Sequence, residues 1–99
     1  MKPKVKILRI TEADITRQIR NYLKIRGIFH WKQWQGPMSQ PKGVSDIIGI
    51  YRGKFLAIEV KRPAAKLTMA QAKFLTRVED HGGIAFVAKS LDDVIYKLK

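Results

Sequence analysis

The sequence predicts an α/β domain with the element order αβββαβα, a mixed central sheet flanked by helices. Three observations predict it. Residues 45–51 and 54–61 are both rich in Ile, Val, Phe and Leu and are separated only by Arg52 and Gly53, the signature of a β-hairpin. Both strands are apolar on both faces, so helices are needed on each side of the sheet. Capping residues followed by helically spaced apolar positions begin at Thr11, Thr68 and Ser90.

Ninety-nine residues are enough for one domain with a modest core, and a hydrophobic content of 45% makes the chain globular. Twenty Lys and Arg stand against eight Asp and Glu, a formal charge of +12. Such a balance on so small a domain points to a polyanion, nucleic acid above all. A solvated basic surface, or a passive phosphate binder, is the bland alternative. There is no Cys, which excludes disulfides and Cys-based zinc sites, and His30 and His81 form no zinc pattern. No apolar run reaches membrane-spanning length and no signal peptide is visible, so a soluble, cytoplasmic location is expected.

Residues 1–10 are basic, with Val5 and Ile7 alternating, and are expected to form an edge strand, a phosphate-binding arm or a loosely ordered terminus. Thr11 and Asp14 fit a capping box that opens the first helix. Ile15, Ile19, Tyr22 and Leu23 form its apolar stripe, and Gly27 is its expected stop. Glu12 lies three residues before Ile15 and should share the inward face, whereas Asp14 should point elsewhere. Glu12 is therefore a candidate third acid near a site. An acid in a first helical turn also needs no chemistry to be there. Arg17, Arg20, Lys24 and Arg26 populate the rest of this helix and suit phosphate contact.

Residues 28–35 alternate bulky side chains and read as a strand that includes Lys32. Trp31 and Trp34 suit base stacking, or else a core or dimer contact. His30 reads as structural. Residues 36–43 hold two Pro, two Gly, Lys42 and no acid, so they form a basic loop leading into the hairpin. After the hairpin, Pro63 stops the strand, and Arg62 and Lys66 are placed to contact phosphate. Thr68 and Gln71 form a second capping box. Gln71 also shares the inward face of that helix with Phe74, Leu75 and Val78, while Lys73 and Arg77 face solvent. Residues 81–83 close the helix, 84–88 form a buried strand, and Ser90 to Asp93 start a last helix carrying Leu91, Val94, Ile95 and Leu98.

The hairpin carries the chemistry. With Arg52 and Gly53 as a two-residue loop, Tyr51 faces Lys54, and the same register sets Asp46 opposite Glu59. Their Cβ atoms should then be roughly 4.5–5.5 Å apart on one face. Lys61 shares that face, two residues beyond Glu59. Like charges directly opposite each other destabilise a sheet, so either one carboxyl keeps its proton or a cation sits between them. Hard oxygen ligands of this kind suit Mg²⁺ or Mn²⁺. A three-residue loop would instead slip the register and leave two strand-end acids in solvent.

These residues resemble the PD-(D/E)xK nuclease superfamily, and within it the VRR-NUC domain, the virus-type replication-repair nuclease module. Gly43 to Asp46 is similar to its Gly-x-x-Asp, and Glu59-Val60-Lys61 to its Glu-x-Lys. Gln71, with Leu75 behind it, is similar to its helical Gln, and Glu12 to the acid that opens its first helix. Ser45 stands where many members carry Pro. The resemblance runs from Glu12 to the last helix, and archaeal Holliday-junction resolvases look similar over the same stretch.

The resemblance implies a restriction-endonuclease-like fold, with residues 1–99 as one nuclease domain. It implies a structure-specific endodeoxyribonuclease, dependent on Mg²⁺ or Mn²⁺, that hydrolyses phosphodiesters in branched DNA such as Holliday junctions. It implies Asp46, Glu59 and the Val60 carbonyl as metal ligands, and Glu12, Lys61 and Gln71 as further site residues. Arg17, Arg20, Lys24, Lys32, Lys42, Arg62 and Lys66 are the expected DNA contacts. Stand-alone members, mostly from phages and bacteria, look like homodimers, so a homodimer acting in DNA repair is expected, with no small-molecule cofactor. A flap-type or non-specific nuclease, or a non-catalytic basic module, is the alternative.

Overall fold

Arg52 and Gly53 both adopt positive φ, 51° and 79°, as a two-residue type I′ hairpin loop requires. The computed structural model describes residues 9–38 and 41–99. In it this loop joins β2 (Ile47–Tyr51) to β3 (Lys54–Val60). The register runs from Tyr51↔Lys54 to Ile47↔Ile58, as the short loop dictates. Before the hairpin come α1 (Glu12–Ile25) and β1 (His30–Lys32). After it come α2 (Met69–Asp80), β4 (Ile84–Ala88) and α3 (Leu91–Lys97). The order is αβββαβα. Residues 1–8 of the expected basic arm lie outside the described residues.

The sheet order is β1-β2-β3-β4. β1 and β3 run antiparallel to β2, and β4 runs parallel to β3 through the α2 crossover. Period-two alternation along β3 divides its side chains between two cores. Leu56, Ile58 and Val60 pack with Ile15, Ile19 and Leu23 of α1 and with Val94 and Leu98. Ala57 faces the other way and packs with Val44, Ile48 and Leu75 of α2. Helices thus cover both faces of a mixed sheet. Among the described residues, no helix is long and apolar enough to cross a membrane.

Local chemistry sets the helix starts. Thr11 Oγ1 accepts from the Asp14 N–H at 3.1 Å, and Asp14 Oδ2 accepts from the Thr11 N–H at 3.0 Å. Those bonds, with Arg17 at 2.9 Å, hold the Asp14 carboxyl below its ordinary range. α2 opens with the same reciprocal pair between Thr68 and Gln71. α3 differs from expectation, because Ser90 sits at the N-cap position without a side-chain cap bond. Asp93 instead accepts from the Lys89 N–H at 2.8 Å, one residue further out.

The strand expected over residues 28–35 is shorter in the structure. The Ile28 N–H donates to Leu23 O at 2.9 Å and so closes α1 rather than opening β1. Beyond Lys32, the Gln33 N–H still donates to Asp46 O at 2.8 Å, and then the chain turns away. At the hairpin's turn end, Tyr51 donates to Leu98 O at 2.9 Å, and Arg26 donates to Tyr51 Oη at 3.1 Å and also to Leu98 O. This network ties both helices of one face to the turn. The acids sit at the opposite end of the strands.

Candidate active site at the open end of the hairpin

One step beyond Ile47↔Ile58, the register brings Asp46 opposite Glu59. Asp46 lies at the mouth of β2 and is half-buried. Its Oδ2 accepts from the Val60 N–H at 2.7 Å, which pins the carboxyl across the strand pair. Glu59 is 2% exposed, and its Oε1 is buried without a hydrogen-bond partner. Burial, followed by the neighbouring Asp46 carboxyl, pushes Glu59 up to about 9. Lys61 opposes that shift and Glu12 adds to it. A retained proton and a bound cation are the two ways to relieve such a pair.

The structure separates Glu12 from Asp14 as the helical spacing predicts. Glu12 Oε2 accepts from the Arg62 N–H at 3.3 Å, just beyond β3, whereas Asp14 is engaged in its capping box. Lys61 is anchored by its own N–H, which donates to Ala88 O at 3.0 Å. Gln71 has two partners at once: its Oε1 accepts from the Thr68 N–H at 2.9 Å, and its Nε2 donates to Glu59 Oε2 at 3.4 Å. Gly43, at φ +75°, presses the preceding loop onto α2; a Cβ there would lie 2.3 Å from the Ala70 carbonyl carbon. Glu12, Asp46, Glu59, Lys61 and Gln71 therefore gather around one end of the sheet.

Sequence reasoning missed Gln35. Its Nε2 donates to Val44 O at 2.9 Å and to Asp46 Oδ1 at 3.1 Å, so it holds the carboxylate from the β1 side. The β1–β2 register, in which Lys32 faces Ile47, is the signal that would have pointed to it. Beside Asp46 opens a cleft of about 560 Å³ lined by Lys32, Gln33, Trp34, Gln35 and Gly36. Trp31 and Trp34 are 41% and 62% exposed, so neither is a core residue. His30 stays outside the site, with Nδ1 2.9 Å from Ile28 O.

The expected phosphate contacts divide into groups. Arg17, Arg20, Lys24 and Lys32 line one shallow depression of about 200 Å³ between α1 and β1. Arg62 lies beside Glu12 through its backbone. Lys42 lies at the rim of a groove beside α2, its Nζ donating to Pro37 O at 3.4 Å, and Lys66 is exposed on the connection after β3.

Among the described residues, no three His, Cys, Asp or Glu side chains converge tightly enough to hold a metal ion unaided. Two carboxylates do stand side by side, and one of their oxygens is buried and unpartnered. That donor set fits a hard divalent cation, which binds through one or two carboxylates and completes its shell with water or main-chain oxygen.

The sequence model described as VRR-NUC domain matches residues 6–92. No curated protein matches the chain in sequence. A solved structure described as a VRR_NUC domain protein superposes with a TM-score of 0.64 at 24% identity, over 88% of this chain and 84% of that one. At that identity the likeness speaks for the fold.

Proposed function

The chain belongs to the VRR-NUC domain family, a nuclease-type domain, and on that premise we propose that it is a metal-dependent, structure-specific endonuclease acting on branched DNA, four-way junctions above all. The observation that carries this reading is the Asp46–Glu59 pair at the end of an otherwise apolar hairpin, with Glu59 Oε1 buried and unpartnered. Apolar packing alone gives no reason to bury a second carboxyl beside the first.

Asp46, Glu59 and the Val60 carbonyl would hold Mg²⁺ or Mn²⁺. When bound, the ion supplies charge stabilisation at the scissile phosphate and acidifies water. The chain's own groups do the rest. Val60 N–H and Gln35 orient Asp46 from two sides. Gln71 orients Glu59, and Glu12 stands by at the edge of β3. Lys61, on the face of Glu59, positions or deprotonates the attacking water, or neutralises the phosphate. The depression of Arg17, Arg20, Lys24 and Lys32 supplies sequence-independent affinity for the backbone. Two copies about a two-fold axis would present two such sites to a symmetric junction.

The test is Asp46→Asn with Glu59→Gln. Loss of cutting with DNA binding intact supports the enzyme. Unchanged cutting removes the carboxylates from the reaction.

A further inference from the structure

We propose that a groove along α2, on the face of the sheet that carries Glu59, receives an unpaired strand of DNA; the proposal rests on the reading of this chain as a DNA nuclease. The groove encloses about 800 Å³ between α2, the start of β3 and the Lys42 segment. Pockets of roughly 300–1,000 Å³ hold small organic ligands, so the space suits one or two nucleotides. Phe55 and Phe74 supply aromatic surface, and Lys42, Lys73 and Arg77 supply positive charge. No carboxylate lines it. The one ion pair among the described residues is Arg17–Asp14, on the other side of the sheet.

Phe55 is 45% exposed, and its cross-strand partner Ile50 is 50% exposed. Two large apolar side chains are thus exposed side by side, one step from the hairpin turn. α2 covers Ile48 and Ala57 on this face but leaves the turn end of the hairpin, at Ile50 and Phe55, uncovered. Aromatic rings beside cations are how proteins take single strands: bases stack on the rings while the backbone follows the charge. A duplex hides its base faces and cannot use the rings. A second copy of the chain is a poor occupant, since about a two-fold axis this face would meet itself and set Lys73 and Arg77 against their own copies.

The groove and the site lie on one face of the sheet, at opposite ends of the hairpin, with the buried Ala57 packed under Val44, Ile48 and Leu75 between them. Phe55 and Glu59 share one face of β3 by alternation. Ala70 lines the groove, and the next residue, Gln71, donates to Glu59. The inferred substrate carries an unpaired stretch near its branch point, as a junction does where its pairs have opened.

The experiment measures binding in chelator, where cutting cannot intervene. Fluorescence anisotropy would compare a labelled oligothymidylate with a blunt duplex for the full chain, for Phe55→Ala and for Phe55→Trp. The expected result is that Phe55→Ala weakens single-strand binding by roughly fivefold or more while blunt-duplex binding holds, and that Phe55→Trp restores it. Equal loss on both DNAs, or no loss on either, overturns the proposal. So does sedimentation in which Phe55→Ala turns a dimer into a monomer while single-strand affinity is unchanged, because the face then belongs to a second copy. If the wild type cuts no DNA yet binds single strands through Phe55, the groove stands and the nuclease reading falls.

Discussion

Gln71 donates to the Glu59 carboxyl across 3.4 Å from the first turn of α2, while its carbonyl oxygen closes the capping box on Thr68. One side chain thus starts a helix and steadies the site, and the two roles separate by mutation. Thr68→Ala and Gln71→Ala should each lose about 1 kcal/mol of stability from the broken cap. Only Gln71→Ala should also lower the cutting rate, by roughly 10–100-fold, as removal of a group that orients a ligand does. Denaturant melts and single-turnover cleavage on the two variants check both halves.

Glu59 makes stability depend on pH. Its ordinary value of 4.5 is raised to about 9 in the folded chain. Between those values the unfolded chain has released a proton that the folded chain keeps, so stability falls as pH rises. The contribution is fully present below the ordinary value and is lost as pH passes the raised one. In chelator, the Tm of the wild type should fall across this window more steeply than that of Glu59→Gln. Binding of Mn²⁺ at neutral pH should release a proton, which calorimetry in buffers of different ionisation enthalpy reads directly.

Gly43 and Gly53 both sit at positive φ but have different surroundings. A Cβ at Gly53 meets nothing within 4 Å, whereas one at Gly43 lies 2.3 Å from the Ala70 backbone. Gly53→Ala should cost about 1 kcal/mol from backbone conformation alone. Gly43→Ala should cost about 2–3 kcal/mol and slow cutting as well, because the loop must lift from the turn that carries Gln71. Thermal melts beside cleavage rates distinguish the two.

The α1 depression should set salt sensitivity rather than selectivity. Arg20→Ala with Lys24→Ala should weaken binding to junction, flap and duplex alike. The slope of log affinity against log salt should become shallower by roughly one per side chain. Titrations at several salt concentrations measure it.

Much of this architecture was legible because one turn fixed it. With only Arg52 and Gly53 between two apolar strands, the register had little freedom, and it carried Asp46 to Glu59. Helical spacing likewise told Glu12 from Asp14. Gln35 was hidden because residues 36–43 leave the β1–β2 register undetermined from the chain alone. The end of β1 was hidden because the Ile28 amide serves α1 instead. At α3, a carboxylate at Asp93 took over the N-terminal bond from the hydroxyl at Ser90. The α2 groove depends on how far along the hairpin α2 reaches, a packing outcome that no local spacing encodes.

The most direct test of the central claim is cleavage of a labelled four-way junction beside a 5′ flap and a plain duplex. Each is given Mg²⁺, Mn²⁺ or chelator, with wild type and Lys61→Ala compared. The expected result is paired, metal-dependent nicks in the junction by the wild type and none by Lys61→Ala, with both proteins binding the DNA. Failure of the wild type to cut any of the three, with tight salt-sensitive binding to all, would contradict it.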